Sequence, residues 1–379
     1  MIDLPACPAC AGSDATSVFE YNGLVLLDYM RDSPHSRYDY RLCHTCGLVY
    51  AGRRPEGEEL AFLYSRFDEF LGRDEKRAYP PDAVKDHLAR GWLRSEEEGH
   101  SRDDLVRKVY NKQVSESMHV PIIAAKVPLR GKRILELRAT TGLMLDLFRK
   151  FFGAADVCAM PISEHYRNVI DALNPMATEL VDFDTFEIPF PGTFDLVIAR
   201  HTLTHALRLD HVWRTLHRIV SPGGWLYLHL ENDDATMFAR RKNLFGEMKC
   251  FHFQNVDVDT LGRMLRWNGF EPDFVRHARD GRSELICLAR RVEGPREARI
   301  APAALDARLR MYEEWRDRSV LSAPDSVRAL IAAEMPALEA RAVERGYAVQ
   351  DRKGRIVAVK PLRVMHDDGY AVLNEATGD

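Results

Sequence analysis

From Arg133 onward, short apolar runs alternate with amphipathic stretches. Arg133 to Leu137, Ala155 to Met160, Thr193 to Ala199 and Trp225 to Leu230 are short and mostly apolar. Such runs suit strands buried on both faces. Between them, Leu143 to Phe152, Ser163 to Leu173 and Leu207 to Val220 place apolar residues at helical spacing. Ser221-Pro-Gly-Gly224 reads as a tight turn ahead of the fourth strand. Strands alternating with helices predict a parallel sheet covered on both faces. A further helix starts near Asp257 or Asp259, buries Leu261, Met264 and Leu265, and stops at Asn268-Gly269. Aspartate caps a helix start and glycine a helix end, so both boundaries have a physical cause. Phe270-Glu-Pro then opens a last hairpin that ends near Cys287 to Arg290.

The flanks follow other patterns. Ala51 to Arg130 is charged, with Leu60, Leu63, Tyr64, Phe67, Phe70 and Leu71 at helical spacing and a break at Ala78-Tyr-Pro-Pro-Asp82. A helix across Leu105 to Ala125 leads into the α/β region. After Ile300, Leu305, Leu309 and Tyr312 mark one amphipathic helix, and Pro324 opens another that Pro336 kinks. Tyr347 to Gln350 and Ile356 to Lys360 flank a hairpin turn, and Val364 to Leu373 adds a strand pair. The expected units are 1–52, 53–104, 105–292 and 293–379. They are a zinc-ribbon-like domain, a helical connector, an α/β domain, and C-terminal helices with a hairpin.

Cysteine usage adds candidate chemistry. Cys7 and Cys10, then Cys43 and Cys46, form two Cys-x-x-Cys pairs. Two such knuckles complete a closed tetrahedral site, which predicts structural zinc and a zinc-ribbon module. No thioredoxin-like strand–helix context surrounds them, which argues against a redox pair. Thiols kept for metal suit a reducing compartment, so a cytoplasmic location is expected. A net charge of -4 gives no support to a nucleic-acid partner. Met1 to Cys10 has no basic start and no apolar core, so no secretory signal is expected there, and no apolar run reaches the length that would span a bilayer.

Phe194-Asp-Leu-Val-Ile198, the Arg-His-Thr-Leu-Thr-His run at 200–205 and Ser221-Pro-Gly-Gly-Trp-Leu226 lie within this strand–helix succession. Together they resemble the class I S-adenosylmethionine-dependent methyltransferases over roughly residues 105–292. With the cysteine knuckles, the chain is similar to the subgroup that includes sugar C-methyltransferases. The resemblance implies a Rossmann-like doubly wound sheet, with an N-terminal zinc ribbon and a small α+β C-terminal extension.

It also implies a cofactor site. The family's first strand ends in an acid followed by Gly-x-Gly-x-Gly, which matches Glu136, Arg138, Thr140 and Gly142. Two of the three glycines are therefore replaced. Arg138 would enter the cofactor's space, and Thr140 would restrict a backbone that needs positive φ. Pro161 or Met160 stands where the family has a ribose-binding acid, with Glu164 three residues on at the start of a helix. Asp182 or Asp184 matches the adenine contact. The subgroup's Tyr-His-Glu-His aligns with Lys249, Cys250, Phe251 and His252, so one histidine survives. His252, with His201 and His205 at the mouth of the pocket, are the candidate catalytic groups.

Two functions follow from these departures. One is a methyltransferase-fold protein of small-molecule or sugar biosynthesis whose eroded cofactor site has altered or lost methyl transfer. The other is a working S-adenosylmethionine-dependent enzyme on a small-molecule or sugar acceptor. Expected partners are a small-molecule ligand, anionic if Arg138 binds it, and a protein partner or a second copy. For the histidines a metal role is disfavoured, because no carboxylate shares their spacing.

Overall fold

The structure is a computed structural model. It describes residues 2–21, 38–54, 113–162, 164–181, 186–231, 252–278, 284–294, 296, 298–321, 349–350 and 356–357. The connector helices expected over 55–104, the helix expected from Pro324 and the strand pair expected over Val364 to Leu373 lie outside these residues.

At the N-terminus, β1 (Ile2–Asp3) pairs with β5 (Arg53–Arg54). β2 (Ala15–Tyr21), β3 (Tyr38–Cys43) and β4 (Val49–Ala51) form an antiparallel meander. Helix α1 covers residues 113–124. The α/β region then runs β6 (Arg133–Ala139), α2 (Leu143–Phe152), β7 (Asp156–Pro161), α3 (Glu164–Leu173) and β8 (Ala177–Thr178). It continues with β9 (Phe194–Arg200), a short 3-10 turn (Leu203–His205), α4 (Leu209–Ile219) and β10 (Val220–Glu231). Next come β11 (Gln254–Asn255), α5 (Val258–Trp267), β12 (Phe270–His277) and β13 (Glu284–Arg291). Helix α6 (Pro302–Leu321) and the small antiparallel pair β14 (Val349–Gln350) and β15 (Ile356–Val357) complete the described elements.

Seven strands form the main sheet in the order β12-β13-β10-β9-β6-β7-β8. β10, β9, β6, β7 and β8 are parallel; at one edge β13 runs antiparallel to β10, and β12 pairs antiparallel with β13. The chain leaves β6 toward β7 and β8, then returns to place β9 on the other side of β6. That reversal makes the carboxyl ends of β6 and β9 the topological switch point, where ligands of open α/β sheets bind. β6 and β9 are apolar enough for burial on both faces: Ile134, Leu135, Leu137, Leu196, Val197 and Ile198 are fully enclosed. Amphipathic α4 covers the sheet with Leu209, Val212, Trp213, Leu216 and Ile219, spaced three or four apart.

Most predicted elements are present within one or two residues. The exception is Ser221 to Gly224. These residues belong to β10 as an irregularity, with the register against β9 shifting between Val220 and Trp225. Gly223 at φ 71° accommodates the extra residues without ending the strand.

The N-terminal meander is continued by the α/β region itself. β11 pairs with β4, giving a four-stranded sheet in the order β11-β4-β3-β2. Tyr40 Oη donates to the His252 carbonyl at 3.0 Å, and Ile300 N–H donates to the Thr45 carbonyl at 2.8 Å. Arg263 Nε donates to the Cys46 carbonyl at 2.8 Å. Cys7, Cys43, Leu48 and Tyr50 share one apolar cluster with Leu261, Leu265 and Phe270. Folding of the meander and docking of α5 are therefore physically coupled.

Asp257 ties α5 down. Its carboxylate accepts the Thr260 N–H at 2.6 Å as an N-cap and pairs with Arg308 of α6. Burial pushes this carboxyl up, but Arg308 and Thr260 outweigh it and hold it below its ordinary value. The pair thus stabilises the fold above the unfolded carboxylate range, and that contribution is lost as pH falls through the folded value. Asp257→Ala is expected to lower stability by about 1 kcal/mol or more at neutral pH. In urea titrations the deficit should shrink in acid. A deficit constant into acid would show that Asp257 acts by packing alone.

Candidate active site

The turn between β6 and α2 lies at the switch point. Its left-handed residues are Arg138, at φ 56°, and Gly142, at φ 70°. The expectation of positive φ at Thr140 is corrected: Thr140 stays outside that region, and the arginine carries the strained conformation. Gly142 is constrained twice. Beyond its φ, a Cβ there would stand 3.0 Å from Met176 Cε and 3.4 Å from Ile170. Asn174 Nδ2 donates to the Thr141 carbonyl at 2.8 Å and fixes the middle of the turn.

A side chain from α1 fills the inside of this turn. Glu116, fully buried, accepts from Thr141 N at 2.9 Å, Thr141 Oγ1 at 2.6 Å and Leu143 N at 3.0 Å, and from Thr140 Oγ1. A carboxylate at the start of a helix satisfies backbone N–H groups that would otherwise lack partners, and it meets the positive end of the helix dipole. Arg200, at the end of β9, completes the arrangement. Its Nη2 lies 3.2 Å from Glu116 Oε1 and 2.6 Å from Glu136 Oε1, and its Nε donates to Glu136 Oε1 at 2.9 Å. Two buried carboxylates therefore share one guanidinium.

Their environments separate the two acids. Burial pushes Glu116 up, but Arg200 and the threonine hydrogen bonds outweigh it and keep this carboxyl below its ordinary value. For Glu136 burial dominates: despite Arg200, and with the Glu116 charge adding to the effect, the carboxyl is pushed up to about 7. Glu136 Oε2 is buried and has no hydrogen-bond partner among the described residues. A buried acceptor left unmatched is costly, so this oxygen is suited to a donor or cation supplied by a ligand.

The predicted residues fall into separate groups. Glu136, Arg138, Thr140 and Gly142 do line one turn. His205 and His252, both buried, form an edge-on pair with ring centroids 5.0 Å apart. Phe253 N–H donates to the Thr204 carbonyl at 2.7 Å and Gln254 Nε2 to the Ala206 carbonyl at 2.7 Å, which fixes that pair. His201 is not with them: its ring meets His229 of β10 edge-on, with centroids 4.5 Å apart. His119 of α1 also lies beside His229, with ring centroids 4.6 Å apart, and bonds Tyr227 Oη at 2.7 Å. Burial, with help from His229, Arg200 and His201, pushes His119 down to about 2, so it is neutral. Pro161 ends β7, and the exposed Glu164 pairs with Arg167 at 2.9 Å on the first turn of α3. Asp182 and Asp184, like Lys249, Cys250 and Phe251, lie outside the described residues.

The four knuckle cysteines do converge. Cys7 and Cys46 Sγ are 3.7 Å apart, Cys10 and Cys43 Sγ 3.6 Å, and all four lie within 4.8 Å of one another. Tetrahedral zinc with Zn–S of roughly 2.3 Å would set its sulfurs about 3.8 Å apart, so the donor set and spacing fit that ion.

Sequence reasoning missed Glu116, Arg200, His119 and Glu284. Arg200 had a signal, a charged residue directly after the apolar run Leu196 to Ala199. Glu116 had little, since its partners are distant in the chain and only the spacing of Glu116, His119, Val120 and Ile123 marks a buried helix face.

The profile of the family described as "Methyltransferase domain" matches residues 110–273. That segment is thus similar to methyltransferase domains over somewhat less than half of the chain. A ubiquinone biosynthesis O-methyltransferase of Xanthomonas campestris is 24% identical over 220 residues, covering 56% of this chain and 80% of that protein. The same-named protein of Thiobacillus denitrificans is 25% identical over 121 residues, covering 31% of this chain. The chain spans 51% of that relative's length. Among solved structures, an S-adenosylmethionine-dependent methyltransferase from Mesorhizobium loti aligns at TM-score 0.39 and 20% identity, over 46% of this chain and 97% of that one.

The raised Glu136 value gives a pH test. Stability from its protonated form is full below the ordinary carboxylate range and is lost as pH rises through about 7. Urea midpoints of the parent should carry this fall between about pH 5 and pH 8, and Glu136→Gln, which fixes the neutral form, should flatten it. Parallel pH profiles for parent and variant would show that Glu136 stays ionised throughout.

Proposed function

We propose that this chain is an S-adenosylmethionine-dependent methyltransferase whose acceptor is an oxygen of a small molecule. One coincidence carries the reading: the methyltransferase-domain match spans the β6–Gly142–α2 turn at the switch point. The unmatched Glu136 Oε2 there suits a ligand bearing a sulfonium and an ammonium group. Bound in this place, the cofactor supplies an electrophilic methyl group.

The chain's own part is positioning. Glu116 fixes the turn through Thr140, Thr141 and Leu143, and Arg200 joins β9 to β6 through Glu136. Thr140 and Glu116 thus hold a turn that glycines shape elsewhere in the resemblance. Asp182, by its place in the sequence, is assigned to the adenine. His205 or His252 takes the acceptor's proton, a role that needs an imidazole within reach. The oxygen acceptor follows the O-methyltransferase names of the relatives. The four cysteines are assigned a structural zinc, closed to substrate, that stabilises the β2–β3–β4 meander.

A second reading has a specific observation behind it. Arg138 occupies the first glycine position, and the Glu116 carboxylate already satisfies the N–H groups of the turn. Under this reading methyl transfer is altered or lost, and the pocket serves another small ligand.

Titration calorimetry of the purified full chain with S-adenosylmethionine and S-adenosylhomocysteine separates the two. Micromolar binding of both, weakened about tenfold or more by Glu136→Ala, is expected. A folded protein that shows no binding up to millimolar cofactor would overturn the methyltransferase reading and favour the second.

A further inference from the structure

His201 stands directly after β9, and His229 lies on the neighbouring strand β10, paired in register with Arg200. Opposite His229 on β13 is Ile286, so Glu284, two residues away, shares its face of the sheet. Strand pairing thus supplies the carboxylate that the sequence spacing of the histidines lacks. One ligand atom from each of His201, His229 and Glu284 lies within 4.8 Å of the others. The His229 Nε2 to Glu284 Oε2 edge is 3.2 Å. Ligands at roughly 2.0–2.1 Å from a tetrahedral ion are spaced about 3.4 Å apart, so one edge is already set and the others close by side-chain rotation.

We propose that His201, His229 and Glu284 form a divalent-cation site with an open coordination position. Two imidazoles and one carboxylate suit zinc or a similar first-row ion, and three protein ligands leave a position for water or substrate.

Two further observations support the site. His201 holds φ 49°, a conformation uncommon for a residue with a Cβ, and its N–H donates to the His229 carbonyl at 2.6 Å. The backbone is thereby bent to bring the two rings together, a strain typical of functional positions. His229 is 4% exposed, and its Nε2 faces the Glu284 carboxylate, so the buried imidazole already presents a ring nitrogen toward the site. His201 and Glu284 are partly exposed, so an ion has a route from solvent to the buried imidazole. Arg200 acts on His229 from nearby, but Glu116 and Glu136 offset its charge. The ion assignment stands apart from methyl transfer. Its role, holding an acceptor oxygen at the ends of β9 and β10, rests on the methyltransferase reading.

Co²⁺ titration of the full chain, followed by visible absorption, tests the site. A cobalt ion at the cysteines shows thiolate charge-transfer bands, and one at the histidines does not. The expected result is a thiolate-free cobalt ion in addition to any thiolate-bound one. His201→Asn and Glu284→Gln should each weaken the thiolate-free ion by about tenfold or more, leaving the thiolate bands unchanged. Absence of a thiolate-free ion in the parent, or its unchanged affinity in both variants, would overturn the proposal. Because cofactor binding is measured separately, either reading can fail alone.

Discussion

The buried guanidinium of Arg200, held between Glu116 and Glu136, joins the parts of the site. It links the end of β9 to β6 and, through Glu116, to α1 and the first N–H groups of α2. Burying a guanidinium between two carboxyl groups is expensive, and such a network stabilises only when its geometry and hydrogen bonds are nearly complete. Here all but one carboxylate oxygen is matched. Removing one partner from a buried pair of this kind typically costs about 3–5 kcal/mol, because the remaining charge is stranded. The network explains how a turn lacking two of the expected glycines is held: an internal carboxylate does the work of a flexible backbone.

The same crevice collects further polar groups. His201, His229 and Glu284 gather at the ends of adjacent strands, while His205 and His252 form a separate buried pair. The second pair is fixed by contacts reaching back to the N-terminal meander, including Tyr40 to the His252 carbonyl. The cysteine module therefore does more than stabilise itself. Through β11 it sets the backbone on which His252 stands.

Much of the α/β region was legible in the sequence. β6 and β9 read as strands because each holds a short apolar core, and α5 read as a helix because Asp257 caps it. The cysteine cluster was legible because both pairs have a two-residue spacer. What stayed hidden depended on pairing between distant segments. Glu116 meets Thr141 only once α1 packs beside the turn, and Glu284 meets His229 only through the β10–β13 register. The left-handed residue in the turn was misplaced at Thr140 because nothing local distinguishes it from Arg138. Local pattern reports which face is buried, not which charged partner it will meet.

The structure of the complex with S-adenosylhomocysteine is the most direct test of this arrangement. Glu116 is expected to keep its contacts to Thr141, Leu143 and Arg200, with the ligand's ammonium group meeting Glu136 Oε2 at the ends of β6 and β9. A complex in which the ligand displaces Glu116 from the turn, or binds away from Glu136, would contradict it.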